Sequence, residues 1–289
     1  MEVAPTRWSL CARVECLEAS HCYRLVESPA EASNWLTRLM EEGHFPSPLH
    51  LESVESTNTW MLREADSLPE WSVVYTFDQT QGKGRRGRLW SSLPGDTLAM
   101  SVLVPAMPAE VPVTWVPLLA GSSLVRVLRN RGLDDAEVKW PNDVLVGPRK
   151  LSGTLVEQTV RGSLIVGIGI NVFSAADRLP DPDGTSLVIE GVEIVDPLES
   201  LVGPVRDTLH HMIQEGLSRE CEGHLAFWSD HVGQTLGTIG GRIQSVGDDG
   251  LERQGTAEGL GPRGELRVRA DDGDDFTVHA GDVFHIPRS

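Results

Sequence analysis

From about residue 47 the chain alternates short apolar runs with turn residues. VVYTF (73–77), LAMSVLVP (98–105), EVKWP (137–141), VLV (144–146), TLVEQTV (154–160) and LIVGIGINV (164–172) are rich in β-branched residues and read as strands. Several links between them are very short. Asn142-Asp143 follows Pro141, and Val160-Arg161-Gly162-Ser163 has the composition of a hairpin turn. Such links cannot hold crossover helices, so the sheet is expected to be largely antiparallel.

Helical spacing appears in three places. Residues 115–131 bring Leu118, Ser122, Val125 and Leu128 to one face. A second helix is expected after Asp196-Pro197-Leu198-Glu199, a capping signature, with Leu201, Val205, Leu209, Met212 and Ile213 apolar and a kink at Pro204. A third, over 28–43, has Ser28 and Glu31 at capping-box spacing and Gly43 to end it. Near residue 234 the texture changes to apolar runs of two to four residues split by Gly and Asp turns, which suits a small, tightly curved β-barrel. The predicted class is therefore α+β, a mixed and largely antiparallel sheet with flanking helices, followed by the small barrel. The expected divisions are an extension over 1–46, a main domain over 47–233 and a C-terminal domain over 234–289.

Composition narrows the function. The 289-residue chain carries a formal net charge of −17, so most of its surface should repel DNA. No window approaches the roughly 18 apolar residues of a membrane span, and the N-terminus lacks a secretory pattern; a cytoplasmic protein is expected. Cys11, Cys16, Cys22 and Cys221, three of them near His21, match no zinc spacing and read as reduced structural thiols.

Against that acidic balance, QGKGRRGRLW (81–90) places Lys83, Arg85, Arg86 and Arg88 within six residues, spaced by glycines. It is not a P-loop, since no G-x-x-x-x-G-K-[ST] occurs. Pliable backbone interleaved with cations suits an anion cradle. Glu55-Ser56-Thr57-Asn58 precedes an apolar run and, taken alone, is a helix N-cap. Lys139-Trp140-Pro141-Asn142-Asp143 forms a tight turn whose Asp143 offers a carboxylate for Mg²⁺. Lys150-Leu151-Ser152-Gly153 sets a compact positive charge at a loop-to-strand boundary. Gly167-Ile168-Gly169-Ile170-Asn171 puts glycines into an apolar strand, where close approach by another group would justify them, and Asn171 can read a purine edge.

Singly these signals are weak; their order is specific. E-S-T-N, Q-x-x-G-K-G-R-R-G-R-x-W, K-W-P-N-D, R-K-L-S-G and G-I-G-I-N-V resemble biotin protein ligase over about residues 50–175. The resemblance implies a class II synthetase-like catalytic fold with an SH3-like C-terminal domain. It implies ATP and Mg²⁺ as co-substrate and ion, biotin as substrate, and a biotin carboxyl carrier domain as protein partner. By resemblance, Ser56, Thr57, Gln79, Gly82, Lys83, Lys150 and Gly153 serve biotin. Arg85, Arg86, Arg88, Trp90, Asn142 and Asn171 serve the nucleotide, Asp143 the metal, and Lys150, Arg85 and Arg86 the chemistry. Lys83 stands where many relatives carry Arg. Residues 1–46 do not resemble the DNA-binding domain of bifunctional members, so no DNA partner, no repressor activity and no membrane partner are expected; a homodimer is compatible with the sequence. Two rivals are a lipoate-type ligase of the same fold, against which K-W-P-N-D and K-L-S-G argue, and a non-catalytic RNA-binding module, which lacks stacking aromatics around 82–88.

Overall fold

The computed structural model describes residues 15–16, 23–24, 45–219, 223–246, 252–271, 273–279 and 282–286. The helix expected over 28–43 and the cysteines with His21 lie outside the residues whose side chains are described. A nine-stranded sheet forms the body. Its strands are β1 (Glu15–Cys16), β2 (Tyr23–Arg24), β3 (Leu49–His50), β4 (Val73–Thr76), β5 (Thr97–Val104), β6 (Ala136–Lys139), β7 (Asp143–Val146), β8 (Arg149–Gln158) and β9 (Leu164–Asn171). The order is β1-β2-β3-β4-β5-β9-β8-β7-β6. Among the described strands of this sheet, only β2–β3 and β3–β4 pair in parallel. The short links read from sequence turn the chain back as antiparallel neighbours, with Gly162 N bonded to Thr159 O at the β8–β9 turn.

Alternation along the strands decides which helix each residue meets. Val74, Leu103 and Ile165 point to one face and pack with Met61 of helix α1 (Thr57–Glu64). Val73, Tyr75, Val102, Val104, Leu164 and Val166 point to the other, into the main core. That core is covered by α2 (Trp115–Arg129), α3 (Gly203–Leu217) and α4 (Gly223–Gly233). α2 lies between the sheet and the other two helices, so nearly every residue from Trp115 to Leu128 is buried, not one face only.

The second expected helix differs from its prediction. Asp196 Oδ1 accepts from Leu198 N at 2.9 Å and Glu199 N at 3.3 Å, as the capping signature implies. Leu198–Val202 then forms a π turn, closed by Gly203 N to Leu198 O, before α3 begins. Pro204 thus falls in the first turn of α3, where its missing N–H costs nothing, and the irregularity moves upstream of the proline. Helix α4 carries no start signal in the sequence; its Trp228 is fully buried and donates from Nε1 to Met212 O at 2.8 Å.

The C-terminal strands are β10 (Arg242–Val246), β11 (Glu252–Leu260), β12 (Leu266–Ala270), β13 (Asp275–Val278) and β14 (Asp282–His285), ordered β13-β12-β11-β10-β14 and antiparallel throughout. This five-stranded sheet is tied to the body by indole donors. Trp115 Nε1 bonds Pro262 O at 3.0 Å, and Trp140 Nε1 bonds Gly264 O at 2.9 Å. No helix among the described residues is long and apolar enough to cross a membrane.

Candidate active site

On the α1 face of the sheet, between α1, the 82–90 loop and β14, lies a cavity of about 230 Å³. One end is neutral and polar. Ser56 caps α1, leaving Thr57 and Asn58 buried in its first turn. Thr57 N donates to Gln79 Oε1 at 2.8 Å, which fixes the orientation of the glutamine amide. Ser101 Oγ, buried on β5, lies 2.8 Å from Thr57 Oγ1 and 2.6 Å from Asn58 Oδ1. Asn58 Nδ2 in turn donates to Glu157 Oε2 at 2.8 Å and Leu155 O at 3.2 Å. Buried polar groups held this completely are rigid, because each alternative orientation breaks a bond in low dielectric.

The other end is cationic. Lys83, Arg85, Arg86, Arg88, Lys139 and Lys150 line the cavity, and Asp143 is the one carboxylate among the lining residues. Six cations facing one carboxylate, in a chain of net charge −17, mark an anion site. Lys150 Nζ is 2.8 Å from Asp143 Oδ1. Arg85 Nη1 donates to Asn142 Oδ1 at 2.8 Å, and Asn142 Nδ2 to Thr154 O at 2.9 Å.

The basic segment is a miniature hairpin. Trp90 N bonds Gly82 O at 2.9 Å and Gly84 N bonds Arg88 O at 2.8 Å. At its tip Arg86 (φ 56°) and Gly87 (φ 75°) are both left-handed. For Arg86 that conformation costs on the order of 1–3 kcal/mol, a strain that clusters at ligand clamps.

Trp90 reaches back over the sheet. Gly153 and Gly169 are register partners on β8 and β9, and together they make a flat floor for the indole. A Cβ on Gly169 would sit 2.5 Å from the Trp90 ring, and one on Gly167 would sit 2.2 Å from Asn58 Oδ1. The glycines of G-I-G-I-N therefore admit two different side chains, one at each end of the cavity. Trp90 Nε1 is buried without a hydrogen-bond partner. Such a donor costs about 1–3 kcal/mol unless a ligand supplies an acceptor.

Of the site residues read from sequence, Ser56, Thr57, Gln79, Lys83, Arg85, Arg86, Arg88, Trp90, Asn142, Asp143, Lys150 and Gly153 all line this cavity. Gly82 stands outside the lining, bonded through its carbonyl to Trp90 N. Asn171 also lies just beyond it: its Nδ2 donates to Thr185 O at 2.9 Å, and its Oδ1 accepts from Thr97 Oγ1 at 3.4 Å. Four contributors were missed. Asn58 and Lys139 lie inside the E-S-T-N and K-W-P-N-D motifs, which by themselves assign them no role. Ser101 and Phe284 carried no local signal; Phe284, half exposed on β14, lines the cavity with Lys139 Nζ 5.8 Å from its ring centroid.

Among the described residues, four groups are moved from their ordinary ionisation. Glu55 is lowered by its hydrogen bond from Arg63. Glu137 is raised by burial, opposed by Arg129. Burial lowers His210 and His285, the latter helped by Lys139.

A model of the Biotin/lipoate A/B protein ligase family matches residues 50–172. The biotin–[acetyl-CoA-carboxylase] ligase of Mycobacterium tuberculosis is 32% identical over 247 residues, covering 80% of this chain and 86% of that protein. The chain belongs to the biotin protein ligase family. Among solved structures, the biotin protein ligase of Leishmania major in complex with biotinyl-5-AMP is 26% identical with a TM-score of 0.54, covering 81% of this chain and 99% of that one. The biotin protein ligase of Aquifex aeolicus in complex with biotin and ATP has a TM-score of 0.71 at 24% identity, over 84% of this chain and 100% of that one, a likeness of fold. As a biotin protein ligase, the chain is an enzyme whose polar and cationic cavity ends lie side by side on one sheet face.

Proposed function

We propose that this ligase activates biotin with ATP and transfers it to a lysine of a biotin carboxyl carrier domain. The observation that carries the proposal is the cavity's division into a neutral, rigidly hydrogen-bonded end and a cationic end, with Lys150 at the cationic one. The neutral end, with Thr57, Gln79 and Asn58, suits the uncharged ureido ring of biotin, which offers a carbonyl acceptor and two N–H donors. The cationic end suits phosphate.

In the first half-reaction a biotin carboxylate oxygen attacks the α-phosphorus of ATP. A bond forms to the phosphorus, its bond to the bridging oxygen breaks, and pyrophosphate leaves with the electron pair. Charge builds on the equatorial phosphate oxygens, so fixed cations lower the barrier. Lys150 would lie between carboxylate and α-phosphate, with Arg85 and Arg86 closing over the adenylate. Trp90, flat on Gly153 and Gly169, would present its ring and its unpartnered N–H to the nucleotide end. In the second half-reaction the neutral lysine amine of the carrier attacks the acyl carbon, AMP leaves, and an amide results. Exclusion of water by the 82–90 hairpin protects the mixed anhydride meanwhile.

Among the described residues no three His, Cys, Asp or Glu side chains form a metal cluster. Asp143 alone, next to Asn142, fits an ion that arrives on the nucleotide, since Mg²⁺ is commonly held by one or two carboxylates plus substrate phosphates. When bound, Mg²⁺ would neutralise phosphate charge. Residues 47–233 would form the catalytic unit and 234–289 a second unit that lends Val283 and Phe284 to the cavity wall.

The test is the intact mass of an isolated carrier domain after incubation with the protein, Mg-ATP and biotin. An added biotin, absent when the acceptor lysine is replaced and undiminished by excess lipoate, is the expected result. No added mass and no biotin-dependent pyrophosphate release would overturn the proposal.

A further inference from the structure

Strand β6 is an edge of the nine-stranded sheet, and residues 235–237 run beside it. Val138 N donates to Thr235 O at 2.7 Å, and Val138 O accepts from Gly237 N at 3.0 Å, with Leu236 as the parallel partner. The segment that opens the C-terminal unit is thereby bonded to the strand leading into the Lys139–Asp143 turn.

Beyond Val138 the contact passes to a side chain. Thr238 has no exposed surface, and its Oγ1 accepts from Trp140 N at 2.9 Å. The same oxygen lies 3.1 Å from His285 Nε2 on β14. A hydroxyl carries a single hydrogen, and here it can go to His285 when Nε2 is unprotonated. Burial and the charge of Lys139 both favour the neutral ring. The chain then runs one way, from Trp140 N–H to the Thr238 hydroxyl to His285 Nε2. Buried polar chains with each donor satisfied are stiff.

Both ends of this chain adjoin the cavity. The Lys139–Asp143 turn lines it from one side, Val283 and Phe284 of β14 from another. Pro141 has no N–H, so Trp140 N is the last backbone donor before Asn142 and Asp143. Those two side chains meet Arg85 and Lys150.

We propose that Thr238 and His285 form a clasp that positions the Lys139–Asp143 turn at the nucleotide end of the cavity. Neither residue lines the cavity, so both act through Trp140. The proposal rests on the ligase reading, which gives the turn its task. A displacement of about 1 Å in groups set against phosphate can cost about a hundredfold in rate.

Three variants test it. Thr238→Val keeps the shape and removes the hydroxyl, Thr238→Ser keeps the hydroxyl, and His285→Phe removes the far acceptor. Biotin-dependent pyrophosphate release gives kcat/KM for ATP, and titration calorimetry gives biotin affinity. Thr238→Val should lower kcat/KM for ATP about tenfold or more, with biotin affinity within about threefold. Thr238→Ser should recover to within about threefold of the unaltered protein. His285→Phe should lower kcat/KM about threefold or more and add little to Thr238→Val, because both break one chain. Hydrogen exchange at the Trp140 amide should speed up in Thr238→Val and not in Thr238→Ser, a readout independent of activity.

A Thr238→Ser variant as impaired as Thr238→Val would overturn the proposal, as would additive losses or unchanged exchange at Trp140. An equal loss of biotin affinity would make Thr238 a folding residue and overturn it too. If the unaltered protein releases no pyrophosphate, the ligase reading falls and this proposal with it. If the unaltered protein is active and Thr238→Val matches it, this proposal alone falls.

Discussion

Lys150 Nζ and Asp143 Oδ1 lie 2.8 Å apart on the wall of one cavity, from neighbouring strands β8 and β7. The pair is about one-third exposed at the lysine, so its strength as an ion pair is modest. Its importance lies in where it holds the ammonium. Replacing Lys150 by Ala should leave biotin affinity within a few-fold and lower adenylate formation by about a hundredfold or more, because the charge acts on the transition state. Calorimetric biotin binding and pyrophosphate release separate the two; unaltered release would remove Lys150 from the chemistry.

Gly169→Ala tests the floor under Trp90. The new methyl would meet the indole at 2.5 Å, and overpacking of this kind costs about 1–3 kcal/mol. The expected outcome is an ATP KM raised roughly five- to a hundredfold by that strain, with biotin affinity changed far less. An unchanged KM for ATP would mean that the ring does not serve the nucleotide.

Ser101→Ala tests the opposite end. It removes the hydroxyl between Thr57 and Asn58, and leaving a buried partner unsatisfied costs about 1–3 kcal/mol. Biotin affinity should fall about tenfold while the ATP KM holds, since the lost bonds orient only the neutral end. Titration calorimetry reads this directly.

The 82–90 hairpin should be protected by its ligands. Its internal bonds are few and its tip contains the left-handed Arg86, so opening is cheap in the absence of anion. Trypsin cleavage at Lys83–Arg88 should slow markedly with biotin and Mg-ATP together. Equal cleavage with and without them would argue against closure.

Stability should fall on mild acidification. His210, packed against the rings of Phe45 and Trp71, and His285 are both lowered by burial. The unfolded chain then binds more protons than the folded one below the ordinary histidine value of about 6.5. Their contribution is present above that value and lost as pH falls through the folded-state values. Glu137, raised by burial, acts oppositely: its contribution is present below its ordinary value of 4.5 and lost as pH rises. Thermal melts between pH 7.5 and 5.5 should show a decline that a His210→Gln, His285→Gln variant flattens. Glu137→Gln should raise the melting temperature near neutral pH.

Much of the site is legible in the sequence. Strands 97–104 and 164–171 follow from β-branched runs between turns, and the motif residues from Ser56 to Gly153, Gly82 apart, line one cavity. What escaped was set by partners distant in sequence. Ser101 is an unremarkable strand serine until Thr57 and Asn58 arrive from 44 and 43 residues away. Phe284 joins the cavity only because the C-terminal sheet docks against Trp115 and Trp140. Helix α4 forms around the buried Trp228 with no start signal of its own.

The sequence by itself determined the strand runs, the short antiparallel links and the kinds of groups the site would need, because residue propensity and turn chemistry are local properties. It also placed a cationic, glycine-spaced segment in an acidic chain. Tertiary structure alone decided the use of each glycine, Gly167 admitting Asn58 and Gly169 admitting Trp90. It also turned Asn171 to Thr185 and moved the helix irregularity upstream of Pro204. Those outcomes depend on which surfaces meet at van der Waals distance, and no local pattern along the chain encodes that meeting.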